Sequence, residues 1–117
     1  MKPGDIVLTP LPQADGQVKP RPAVVLALMP PFGDGLACGI STQLRQRVAG
    51  FDDMMQPQDE DFRQSGLKAE SVTPLGYVTV LMPDDIICRI GSVSASRLKR
   101  LLARLGGHFT ELASRIA

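Results

Sequence analysis

The chain has 117 residues, 44% apolar and 21% charged, with a net charge of +1. That is enough for one domain with a buried core, and too apolar for a disordered chain. No apolar run approaches the about 20 residues of a membrane span, and the opening Met1-Lys2-Pro3-Gly4-Asp5 lacks the apolar stretch of a signal peptide, so a single cytoplasmic domain is expected.

Residues 5–9 form a β-prone run that Pro10 and Pro12 are expected to end. A polar, proline-containing loop over 13–22 leads into Ala23-Val24-Val25-Leu26-Ala27-Leu28, which reads as a buried strand. Pro30, Pro31, Gly33, Asp34 and Gly35 make a turn, and residues 36–41 return as a third strand, predicting a hairpin. From 42 to 65 the pattern dissolves, with Phe51, Met54, Met55 and Phe62 as scattered anchors, and a long surface excursion is expected. A short strand near Val72 and two more over 77–81 and 86–90 follow. Ser94 is placed to cap a helix whose Leu98, Leu101, Leu102 and Leu105 share one face and which Gly106-Gly107 should stop, with another turn or two over 109–116. The expected class is mainly β with C-terminal α: a small SH3-like barrel over about residues 4–93, then one or two helices over about 94–116.

Cys38 and Cys88 lie in apolar runs without zinc-site spacing, so two buried, reduced thiols are expected, and no metal or cofactor is read. His108 has no cluster around it and reads as a helix-start or surface residue. Charge is unevenly placed: Asp52, Asp53, Asp59, Glu60 and Asp61 stand without a base, whereas Arg89, Arg97, Lys99, Arg100, Arg104 and Arg115 face only Glu111. Solvated faces are the ordinary reading, a partner surface the other. The near-neutral total gives no global pull toward nucleic acid, so direct DNA binding by this chain alone is expected to be weak.

In order, Gly4-Asp5-Ile6-Val7, Arg21-Pro22-Ala23-Val24-Val25, Ile40-Ser41-Thr42-Gln43, Gly66-Leu67-Lys68-Ala69-Glu70-Ser71-Val72 and Arg89-Ile90-Gly91-Ser92-Val93-Ser94 resemble the MazF/PemK toxins over nearly the whole chain. The resemblance implies an SH3-like barrel, a homodimer and metal-independent cleavage of single-stranded RNA, with an acidic-tailed antitoxin occupying the RNA groove. By position, Arg21 matches the arginine opening the family's Arg-Pro strand, Ser41 its hydroxyl residue, and Gln17 a glutamine before that strand.

In such a reaction the ribose 2′-OH attacks its own phosphate, so a proton must leave, another must reach the leaving oxygen, and extra negative charge must be stabilised. A guanidinium fits the last task, so Arg21 and Ser41 are the candidate catalytic pair. Gln17, Thr42, Gln43, Arg45 and Arg47 are candidate substrate contacts. Against these stand plainer readings: Arg21 lying on the sheet rim, Ser41-Thr42 ending a strand through local backbone bonds, and two arginines on a polar loop. Gly16 and Gly76 replace acids common in the family, and with no Trp and only Tyr77 as a polar aromatic, stacking platforms are few. These departures motivate an alternative, a catalytically degenerate member that binds a peptide or nucleic acid.

Overall fold

The computed structural model describes residues 1–117, the side chain of Gln46 excepted. Its elements are β1 (Asp5–Pro12), β2 (Val18–Met29), β3 (Asp34–Gly39), β4 (Asp53–Met55), α1 (Phe62–Ser65), β5 (Ser71–Thr73), β6 (Val78–Leu81), β7 (Cys88–Ser92) and α2 (Ala95–Ser114). Short 3-10 turns at Leu44–Gln46 and Pro83–Asp85 complete them. Antiparallel pairing gives a five-stranded sheet in the order β6-β3-β2-β1-β7 and a separate β4-β5 pair. The mainly β architecture with a C-terminal helix is as expected, but the sheet stays open, with β6 and β7 as its edges.

β1 runs past Thr9, and the geometry explains why its prolines do not stop it. The Gln13 N–H donates to the Gln17 carbonyl at 2.7 Å, so Leu11 and Thr9 take the hydrogen-bonded positions opposite Lys19 and Arg21. Pro10 and Pro12 fall between, their nitrogens turned away from β2, and β7 reaches only as far as Leu8. No ladder bond is lost at either proline.

The run Ala23-Val24-Val25-Leu26 is wholly buried because β2 is covered on both faces. One face puts Ile6, Val24, Cys38 and Ile40 against Leu101 and Leu105 of α2, with Met55 and Leu75 closing the side. The other packs Val7, Ala23, Val25, Ala37 and Leu81 together under Leu11 and Ile86. Burying each leucine of α2 contributes about 1.5–3 kcal/mol, which is what docks the helix.

Several expectations change. α2 is one helix: Ser94 caps it, accepting the Arg97 N–H at 3.2 Å, but Gly106-Gly107 lie inside it. Neither has the positive φ that a helix-ending glycine adopts. His108 is consequently a mid-helix surface residue, its ring 5.1 Å from that of Phe51. Cys38 is buried but Cys88 is exposed on an edge strand. Burial, with Asp52 adding to it, pushes the Cys38 thiol up to about 12.

The largest change concerns residues 42–65 and the charges. The excursion contains β4 and α1, and its acids face inward. Arg97, 6% exposed, donates to Asp53 at 2.6 Å, Asp59 at 2.9 Å, Asp61 at 2.8 and 2.9 Å and the Met54 carbonyl at 2.7 Å. Arg100 and Arg104 reach Asp53 at 2.8 and 3.2 Å. Asp52 accepts the backbone N–H groups of Val48 at 2.9 Å and Leu75 at 3.0 Å. Among the described residues no buried side-chain polar atom lacks a partner. Of the five acids read as solvated, Asp53, Asp59 and Asp61 are therefore held by arginines spaced three and four residues apart on α2, and Asp52 is held by backbone N–H groups.

Candidate active site

The β2–β3 ladder pairs Ala23 with Gly39 and Val24 with Cys38. It continues through the Ile40 N–H, which donates to the Pro22 carbonyl at 2.9 Å. One step further, Arg21 stands level with Ser41. That level lies one step past the last hydrogen-bonded rung of the pair. Pro22 suits its place because Ile40 needs only its carbonyl.

Ser41 is held from its other side. Its N–H donates to the Val72 carbonyl at 2.9 Å and its carbonyl accepts the Val72 N–H at 2.8 Å. This isolated bridge joins the main sheet to the β4–β5 pair, since Val72 also pairs with Met54. The Ser41 Oγ accepts the Gln43 N–H at 3.0 Å, the local backbone bond of the plainer reading. A hydroxyl keeps one donor and a second lone pair while doing so, and the bond aims it.

Arg21 is exposed, with Thr9 opposite it on β1. Its Nε donates to the Gln13 Oε1 at 3.2 Å. Among the described residues its two terminal amino groups carry no hydrogen bond. By strand alternation Arg21 shares its sheet face with Ala23 and Val25 of the smaller apolar cluster.

The other candidates divide. Gln17 is exposed where the β1–β2 turn re-enters β2, its N–H donating to the Asp15 Oδ1 at 2.9 Å. Thr42 and Gln43 follow Ser41 and are exposed, as is Arg45 on the first 3-10 turn. Arg47 lines a different feature, a cavity of about 530 Å³ beside α2 shared with Asp52, Asp53, Asp59, Asp61 and Arg97. Gln13 was not among the candidates; a polar residue at a strand end before a turn carries no sequence signal of a contact eight residues away.

The two departures from the family pattern differ physically. Gly16 has φ +84 and its N–H donates to the Gln13 carbonyl at 3.0 Å, closing a tight turn that side-chain-bearing residues adopt poorly. Gly76 has no such φ, and a Cβ there would meet nothing within 4 Å. Position 16 is thus a turn requirement, while position 76 has room for a side chain.

Comparison with known proteins agrees with the sheet order and closing helix. No curated protein matches the chain significantly. Among solved structures, the Mycobacterium tuberculosis toxin MazF-mt6 superposes with a TM-score of 0.66 at 21% identity, over 91% of this chain and 96% of that one, a likeness of fold. A family profile described as PemK-like, MazF-like toxin of type II toxin-antitoxin system matches residues 2–109. The chain belongs to the PemK/MazF-like toxin family of type II toxin-antitoxin systems.

Proposed function

We propose that this chain is a metal-independent endoribonuclease, cleaving single-stranded, mRNA-like RNA by 2′-OH transesterification. The observation that carries the reading is the register that, continued past the end of β3, sets Ser41 level with Arg21 of β2, one with a hydroxyl hydrogen to donate and the other with its terminal amino groups unbonded among the described residues. The 2′-OH gives its proton to water as its oxygen bonds to phosphorus, the P–O5′ bond breaks, and the departing 5′-oxygen takes a proton from water. The products are a 2′,3′-cyclic phosphate and a 5′-OH. Charge gathering on the non-bridging oxygens is met by the Arg21 fork, and the Ser41 hydroxyl donates to the same oxygens. Gln17, Thr42, Gln43 and Arg45 border that surface as substrate contacts; Arg47 joins them by meeting the RNA beyond the rim. The active form is a homodimer, restrained in the cytoplasm by an antitoxin with an acidic tail.

The test uses purified chain and unstructured RNA in EDTA. Cleavage to cyclic-phosphate ends, abolished by Arg21→Ala and reduced by Ser41→Ala, supports the reading. Intact RNA across varied sequences, together with growth inhibition indifferent to Arg21→Ala, sinks it.

A second reading, a degenerate member that binds a peptide or nucleic acid, is favoured by the turn geometry at Gly16, which disfavours an acid there. Binding of RNA or of an acidic peptide with no cleavage under any condition selects it.

A further inference from the structure

Resting on that reading, we infer that Gln13 is the positioning residue for Arg21. Gln13 stands between the end of β1 and the turn, its backbone N–H held by Gln17 at 2.7 Å. Its side-chain amide is oriented: Nε2 donates to the Leu11 carbonyl at 3.0 Å, which leaves Oε1 as the end that accepts from Arg21 Nε at 3.2 Å. Both contacts lie within the β1–β2 hairpin, so the turn closed by Gly16 sets where the acceptor stands.

The choice of nitrogen is the informative part. A guanidinium meets a phosphate in parallel either through Nε and one amino group or through both amino groups. With Nε taken by Gln13, only the second approach is open, so phosphate meets Arg21 end-on. Gln13 also draws the flexible stem toward the turn and fixes it before substrate arrives, where an exposed arginine otherwise samples many rotamers. A neutral amide does this without cancelling the charge, as a carboxylate in the same place would.

The experiment reads the Arg21 Nε–H resonance in ¹⁵N-arginine protein, assigned by its loss in Arg21→Lys, alongside steady-state cleavage of an unstructured RNA in EDTA. Gln13→Ala is expected to move that resonance toward free arginine and to lower kcat about tenfold with KM nearly unchanged, the signature of lost preorganisation. Gln13→Glu keeps an acceptor for Nε, so the resonance stays displaced from free arginine while KM rises through repulsion of phosphate. An unmoved Arg21 resonance in Gln13→Ala overturns the inference, as does an unchanged kcat. If wild-type protein cleaves no RNA, the proposed function falls, and the resonance alone decides the placement of Arg21.

Discussion

Arg97 grips Asp61 through two parallel hydrogen bonds, Nε to Oδ2 at 2.8 Å and Nη2 to Oδ1 at 2.9 Å, with both side chains nearly out of water. The same Asp61 Oδ2 accepts the Ser94 N–H at 2.9 Å at the start of α2. One carboxylate therefore ties the excursion to both the cap and the first turn of the helix that covers the core.

Truncating that arginine leaves Asp53 and Asp61 buried without their principal counter-charge. Arg97→Ala should destabilise the fold by about 3–5 kcal/mol in urea denaturation, the usual cost of orphaning a buried charge. Arg97→Lys should recover only part of it, because one ammonium cannot serve three carboxylates and a carbonyl at once. A loss under about 1 kcal/mol for Arg97→Ala would mean the network adds little beyond a surface pair.

Acid should loosen the same joint. Burial alone pushes the Asp61 carboxyl up, but hydrogen bonds from Arg97 and the Ser94 backbone and the charge of Arg97 outweigh it, holding the group at about 2 against an ordinary 3.8. The folded value is the lower one, so the stabilisation is fully present above 3.8 and is lost as pH falls toward 2. It amounts to about 2 kcal/mol. Thermal melts should fall across that window, and the fall should be smaller in Asp61→Asn.

The glycines inside α2 are a reserve of stability. A Cβ at Gly106 or Gly107 would meet nothing within 4 Å. Each glycine-to-alanine change should stabilise the helix by about 0.5–1 kcal/mol by restricting the unfolded chain. Denaturation midpoints that fail to rise in Gly106→Ala and Gly107→Ala would show that these positions serve a bend or contact that alanine disturbs.

The two glycines that depart from the family pattern should respond oppositely. Gly76→Asp should leave the melting temperature unchanged and, under the proposed chemistry, raise the cleavage rate by supplying a proton acceptor. Gly16→Glu should cost about 1–2 kcal/mol because the turn holds φ at +84. Destabilisation by Gly76→Asp with none from Gly16→Glu would contradict both.

Strand order, the buried β2 and the capped helix were legible because each rests on short-range pattern: apolar runs, turn residues and helical spacing. The inward-facing acids were not, although their complement was visible as Arg97, Arg100 and Arg104 at spacings of three and four. Pairing them with Asp53 and Asp61 requires knowing that a loop folds back across more than thirty residues, which local pattern does not encode. β1 outran its prolines for a similar reason, since whether a proline breaks a ladder depends on which way its nitrogen faces. The level placement of Arg21 and Ser41 needed the register, and Gln13 needed the turn.

The bridge between Ser41 and Val72 also sets how the molecule opens. The candidate hydroxyl residue is fastened not to its neighbour in the main sheet but to β5, whose ladder partner β4 belongs to the excursion, so its amide is released when β4–β5 lifts away. Hydrogen exchange at Ser41 and Val72 should therefore proceed together, through an opening that leaves β1–β2 closed, and weakening Arg97 should speed both. The Arg97 network at the start of α2, two strand residues away through Met54 and Val72, should thereby govern how long Ser41 holds its place.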